Sequence, residues 1–277
     1  MHKGIKIALI VSLILTVAGV GFVVAGIALG GHLNFQIDTK NRKILSADES
    51  LVRGTLTPEP FTELDVEVAT ADISVSRGEG WALEYALTDE PEIAQTDGRL
   101  TLKGQERAGI SFVGISVNGD GLFVRITVPE DAELEAVTLH TATGDVKLSD
   151  LEVQTIAAEC STGDMKAQGI RCGKLDLVSN TGDIDVKDTV CTGDVTLEGN
   201  TGDVNVQKLA EATAISVETN TGDIAIALDD ADYALDFETD TGDLTVNGRD
   251  QGHRHSTDGS IPLHAETNTG DLTVRIG

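Results

Sequence analysis

The feature that most limits what this chain can fold into is a tripeptide that returns on a near-constant interval. Thr-Gly-Asp recurs with its glycine at Gly144, Gly163, Gly182, Gly202, Gly222, Gly242 and Gly270, spaced 19, 19, 20, 20, 20 and 28 residues apart. The flanks recur with it. Leu175-Asp-Leu-Val-Ser-Asn before one copy corresponds to Val195-Thr-Leu-Glu-Gly-Asn, Ile215-Ser-Val-Glu-Thr-Asn and Leu235-Asp-Phe-Glu-Thr-Asp before the next three. After the copies come Ile184-Asp-Val, Val204-Asn-Val, Ile224-Ala-Ile and Leu244-Thr-Val. Apolar and polar residues alternate in every flank, the pattern of a strand with one buried face, and valine and isoleucine dominate. Between the flanks, glycine supplies a positive φ and the Asn and Asp side chains can accept hydrogen bonds from nearby amides.

A coil that closes after about 20 residues sets each residue over its counterpart one rung earlier, about 4.8 Å away, and so makes every corner alike. A meander of hairpins would also repeat, but Thr-Gly is not a favoured two-residue hairpin loop. The expected fold is all-β, a single-stack β-solenoid of about 20 residues per rung. An eighth copy at Gly193 breaks the spacing. Cys191 lies nine residues after Gly182, as Cys172 lies nine after Gly163, so the Gly193 copy belongs to another corner, in register with Cys172-Gly173-Lys174. Before Gly144, Leu64-Asp-Val-Glu-Val-Ala-Thr-Ala-Asp-Ile-Ser-Val reads as a first rung with Ala71 in the place of glycine. Residues 58–130 are expected to form irregular rungs and a cap, residues 131–277 the regular ones, and residues 32–57 a polar stalk.

From Ile7 to Leu29 the chain is apolar and uncharged, long enough to span a bilayer, and Lys3 and Lys6 precede it. Residues 1–31 therefore read as a cytoplasmic tip and a transmembrane helix, anchoring a single-pass membrane protein whose remainder is extracytoplasmic by the positive-inside rule. A cleaved signal has a shorter apolar region. The net charge of −26 repels phosphate backbones, which argues against nucleic acid as a partner. Only nine residues are aromatic, so platforms for stacking sugars or bases are scarce.

Stacking sets the carboxylates of Asp145, Asp164, Asp183, Asp203, Asp223 and Asp243 in one column. Their repulsion is offset either by backbone amides and threonine hydroxyls of the corner, the favoured reading, or by a bridging cation, for which calcium is the candidate cofactor. Cys172 and Cys191, one rung apart, are placed either for a disulfide or as stacked free thiols, and Cys160 is left over. The insertion from Asp250 to Asp258 carries His253 and His255, a loose zinc pattern set against a solvated loop. Paired carboxylates are too abundant to mark a catalytic pair, and no singular cluster stands out, so no catalytic residue is assigned.

Val124-Arg-Ile-Thr-Val-Pro, then Leu134-Glu-Ala-Val-Thr-Leu-His-Thr-Ala-Thr-Gly-Asp, then serial Thr-Gly-Asp rungs: over residues 61–277 the chain resembles the LiaG-like putative adhesin family of bacterial envelope proteins. The resemblance implies a membrane-tethered β-solenoid linked to surface attachment or envelope stress, with no catalytic residues to carry over. The expected function is a non-catalytic binding or adhesion module whose partner is an envelope protein or glycan. The alternative is a structural or envelope-stress component that assembles through its ends, since Gly270-Asp-Leu-Thr-Val-Arg-Ile-Gly277 shows no cap. A polysaccharide-cleaving enzyme ranks last.

Overall fold

The computed structural model describes residues 35–38, 43–46, 51–104 and 121–277. The spanning helix expected over residues 7–29 lies outside them, and among the described residues no helix is long and apolar enough to cross a membrane. The chain divides into two compact units, one of residues 1–51 and 107–120, the other of residues 52–106 and 121–277. In the first, β1 (Phe35–Asp38) and β2 (Lys43–Ser46) pair antiparallel.

The second unit is all β. Its irregular part holds β3 (Val52–Leu56), β4 (Glu63–Thr70), β5 (Asp72–Gly78), β6 (Ala82–Leu87), β7 (Glu92–Thr96), β8 (Arg99–Lys103) and β9 (Phe123–Pro129). The regular part runs β10 (Leu134–Thr143), β11 (Val146–Ser149), β12 (Glu152–Thr162), β13 (Met165–Gln168), β14 (Arg171–Thr181), β15 (Ile184–Cys191), β16 (Asp194–Thr201), β17 (Val204–Ala210), β18 (Ala214–Thr221) and β19 (Ile224–Leu228). It ends with β20 (Tyr233–Thr241), β21 (Leu244–Val246), β22 (Arg249–Asp250), β23 (Arg254–Ser256), β24 (Ile261–Thr269) and β25 (Leu272–Ile276).

Parallel pairing at one-rung offsets makes this a β-solenoid. Val137 lies beside Ile156, Ile156 beside Leu175, Leu175 beside Val195 and Val195 beside Ile215. The strand after each corner does the same, with Met165 beside Ile184 and Ile184 beside Val204. Because the side-chain period is two, keeping one residue in register keeps every inward residue inward. The core is thus a set of aliphatic columns such as Val137, Ile156, Leu175, Val195 and Ile215, each nearly inaccessible to solvent. Each such side chain stabilises the fold by about 1.5–3 kcal/mol relative to exposure. The reading of Leu64 to Val75 as a rung holds, since Leu64 pairs with Val137 and Ile73 with Val146. One further rung, β8 and β9, lies beyond it.

Three expectations are corrected. Residues 32–57 are not an aperiodic stalk throughout: Val52–Leu56 forms β3, antiparallel to β6, with Val52, Gly54 and Leu56 on the half-buried side. Spatial order departs from chain order at the far end. β24 lies between β18 and β20, and β25 between β19 and β21, so the rung of residues 261–276 is inserted between two earlier ones. The 28-residue interval reflects this detour.

The strand ending at Gly277 is consequently interior rather than a free edge. At that end β23 runs antiparallel on β20, and β22 antiparallel on β21 through an Asn247-Gly248 hairpin turn with φ of 49° and 72°. At the other end β7 runs antiparallel on β8, and β6 on β9. Both open ends of the coil are therefore covered by antiparallel strands, which opposes end-to-end stacking of parallel rungs. Arg77 secures the passage from β9 to β10, its guanidinium donating to the carbonyls of Pro129, Glu130, Ala132 and Asp150.

Candidate functional site

At a corner the backbone turns out of the strand direction, and the accounting of its polar groups explains the tripeptide. The ladder continues through most of it: Gly163 N–H donates to Thr181 O, and Met165 N–H to Asp183 O, each on the next rung. Two groups per corner need other partners, the glycine carbonyl and the aspartate amide. The aspartate amide donates to the Oδ1 of the aspartate one rung earlier. This link runs unbroken from Asp145 to Asp72, Asp164 to Asp145, Asp183 to Asp164, Asp203 to Asp183, Asp223 to Asp203, Asp271 to Asp223 and Asp243 to Asp271, all at 2.7–3.0 Å.

The glycine carbonyl accepts from a hydroxyl or thiol three residues before the next rung's glycine. Thr141 donates to Ala71 O, Cys160 to Gly144 O, Ser179 to Gly163 O, Thr219 to Gly202 O, Thr267 to Gly222 O and Thr239 to Gly270 O. These donors are buried, and the column skips only Gly199.

Glycine itself is fixed by the stack. Its φ lies between 137° and 151° in all seven copies, beyond the left-handed region that other residues visit. A Cβ at Gly182 would sit 2.1 Å from the carbonyl oxygen of Gly163. Outside this line an exposed ladder links Asn200 to Asn180, Asn220 to Asn200 and Asn268 to Asn220.

The structure thus brings the six expected aspartates into one column and adds two. Asp72 begins it and Asp271 stands between Asp223 and Asp243, so the last two expected members are not neighbours. One oxygen of each carboxylate but the last is occupied by a backbone amide. Among the described residues no group of three or more His, Cys, Asp or Glu side chains is arranged to hold a metal ion. That holds for the insertion too. His255 lies on β23 with its ring 6.5 Å from that of Phe237, so the segment covers the core end, and His253 is exposed.

Cys172 and Cys191 are direct register partners, and Gly193 stacks on Gly173 as the spacing required. All three cysteines are free thiols and buried. Interaction between the two adjacent thiols holds Cys191 below the ordinary thiol range and, with burial, pushes Cys172 above it. Desolvation opposes the shift at Cys191 without cancelling it. The pair therefore releases its first proton below the ordinary thiol range and its second above it.

What faces outward differs sharply between the two long sides. On the strands preceding the corner, one row carries Glu198, Glu218, Glu266 and Glu238 on four successive rungs, beside a second row with Asp176, Ser216, His264 and Asp236. On the seven regular rungs no Lys or Arg stands in either row, although the first row continues beyond them to Arg254 on β23 and to Lys103 on β8. On the strands following the corner, one row begins Lys147, Lys166, Asp185, Asn205 and the other Ser149, Gln168, Lys187, Gln207. Asp185 is the one acid in those rows on the seven regular rungs. A shallow groove of about 320 Å³ lies there, lined by Lys166, Gln168, Asp185, Lys187, Asn205 and Gln207. The aspartate column was visible in the sequence, but the hydroxyl column and the division of charge between sides emerge only once rung register is known.

Among solved structures the chain is similar to a putative adhesin of Bacteroides fragilis, at 15% identity and a TM-score of 0.50, covering 82% of this chain and 97% of that one. Similarity extends to a putative adhesin of Parabacteroides merdae (14% identity, TM-score 0.46, 82% and 96% covered). It extends also to a putative cell adhesion protein of Clostridium sporogenes (16% identity, TM-score 0.37, 82% and 100% covered). No curated protein matches. Residues 61–276 match the model of the family described as Toastrack DUF4097. With the solenoid and its stacked corners spanning that same stretch, the chain belongs to the Toastrack DUF4097 family.

Proposed function

We propose that the chain is a non-catalytic binding or adhesion module of the bacterial envelope, tethered by a membrane-spanning helix over residues 7–29 and working outside the cytoplasm. The observation that carries this reading is the use to which polar side chains are put. The repeated corner, where a stacked array of reactive groups would be sought first, has the buried hydroxyls three residues before its glycines and one carboxylate oxygen on most rungs committed to backbone groups. Specific chemistry is left to the two flat lateral sides, which suit recognition over an extended surface. The similar Bacteroides fragilis protein is itself described as a putative adhesin, which agrees with this reading.

Bacteria displaying the full chain should attach to one another or to an envelope-coated surface more than bacteria displaying a variant ended before Val52. Equal attachment by the two would sink the reading. Calcium at the aspartate column would require a melting temperature that rises with calcium and falls with chelator.

A further inference from the structure

The two lateral sides of the solenoid share one pitch and carry opposite charge toward opposite ends of the coil. Lys147 and Lys166 are register partners on neighbouring rungs, with Lys187 on the next rung one position over. Like charges at that spacing destabilise a sheet face. Several other basic residues find an acid, as Arg99 does with Glu63, Lys103 with Glu67 and Lys208 with Asp188. Among the described residues Lys147, Lys166, Lys187 and Arg275 form no ion pair. The side that precedes the corner has the converse problem, a carboxylate on each of four successive rungs, Glu198, Glu218, Glu266 and Glu238. There Arg254 pairs with Glu238, and the His264 ring lies beside Glu218 and Glu266.

We propose that the lysine side of one copy docks on the glutamate side of a second copy of this chain, with the two solenoids antiparallel. In spatial order the regular rungs are those of β10, β12, β14, β16, β18, β24 and β20. The three lysines occupy the first three, and Glu218, Glu266 and Glu238 the last three. Antiparallel apposition sets these groups opposite one another with the copies fully overlapped. Parallel apposition does so only after a slide of four rungs, about 19 Å at 4.8 Å per rung. Both rows repeat at the same inter-strand spacing, so one match along the axis brings the others with it.

The occupied strip is narrow. Seven rungs by two outward rows give roughly 300–400 Å² per partner from strand and sheet spacings, under half of a standard interface. Contact between single molecules is therefore weak, and it becomes substantial where many copies are held on a surface. Because the two sides differ, the contact does not close on itself and can continue from copy to copy. The inference rests on the reading of the chain as a binding module and names a second copy as partner.

Sedimentation of the full chain in detergent tests it. Wild type should associate reversibly with rising concentration. The variants Lys147→Glu, Lys166→Glu, Lys187→Glu combined, and Glu198→Lys, Glu218→Lys, Glu266→Lys combined, should each remain monomeric with unchanged melting temperature, and an equimolar mixture of the two should associate again. A wild type that stays monomeric throughout, or association that both variants retain, overturns the proposal. So does a monomer that instead binds an acidic polysaccharide through the same lysines. If bacteria displaying the chain still attach while it sediments as a monomer, the binding reading survives with another partner and only the self-docking fails.

Discussion

Two corners of the same coil solve a similar turning problem with different residues. At the Thr-Gly-Asp corner seven glycines of identical conformation stand in line. At the next corner the successive rungs offer Asp150, Gly169, Asp188 and Lys208, all with φ between 49° and 67°. The first backbone shape lies where a side chain is excluded by the carbonyl of the rung beneath it, whereas the second is the ordinary left-handed region, which asparagine, aspartate and, at some cost, lysine enter. Identity repeats where the neighbour forbids a Cβ. Where only a torsion is demanded, conformation repeats and identity wanders.

The contrast can be tested by substitution. The largest effect belongs to Gly182→Ala, whose added carbon has no room against Gly163 O. It should cost about 3 kcal/mol or more and lower the melting temperature by many degrees. A loss under about 1 kcal/mol would mean that the stack is loose.

Oxidation at the third corner comes next. Cys172 and Cys191 should join on exposure to oxidised glutathione, raising stability by up to about 3 kcal/mol for a loop of this length. Peptide mapping that finds Cys172 in no cross-link removes this. Thr219→Val keeps shape but leaves Gly202 O without its donor. A loss of about 1–3 kcal/mol is expected in denaturant titration, and none if a water takes the place of the hydroxyl.

Asp183→Ala removes the acceptor of the Asp203 amide at a partly wet position. About 1 kcal/mol should be lost, most of which Asp183→Asn should restore. The smallest change is Lys208→Gly at the left-handed corner, where relief of backbone strain and greater freedom of the unfolded chain nearly cancel. A shift within about 1 kcal/mol of zero is expected. A loss as large as that of Gly182→Ala would erase the distinction between the corners.

This distinction also marks what could be read in advance. The interval of the glycines gave rung length and strand pairs, and the offset of Cys191 placed Gly193 on its own corner, because both are consequences of stacking that leave residue identities behind. The left-handed corner leaves a weaker trace, since Asp150, Gly169, Asp188 and Lys208 share a torsion but no one side-chain type. The hydroxyl column is hidden for a related reason: Thr141, Cys160, Ser179 and Thr219 mix three residue types, and only the equivalent corner carbonyl that each meets unites them. Nor does a 28-residue interval reveal that residues 261–276 pass between two finished rungs, because linear spacing carries no information on which neighbour a strand chooses. Of the candidate site, the aspartates were legible as a column but their partners were not. Those partners belong to a different rung.

The inserted rung has a consequence for how the protein is made. Most of the coil can grow in the order of synthesis, each rung settling on the one before. The rung of β20 and β21 cannot, because its seat on the stack is the strand pair β24 and β25, which is translated later. Until residues 261–276 emerge, the rung of β18 and β19 lacks a neighbour and the terminal cover has nothing to close against. Vectorial synthesis therefore includes a step that waits for residues 261–276, and a chain cut short before them would present unsealed strands to quality-control proteases.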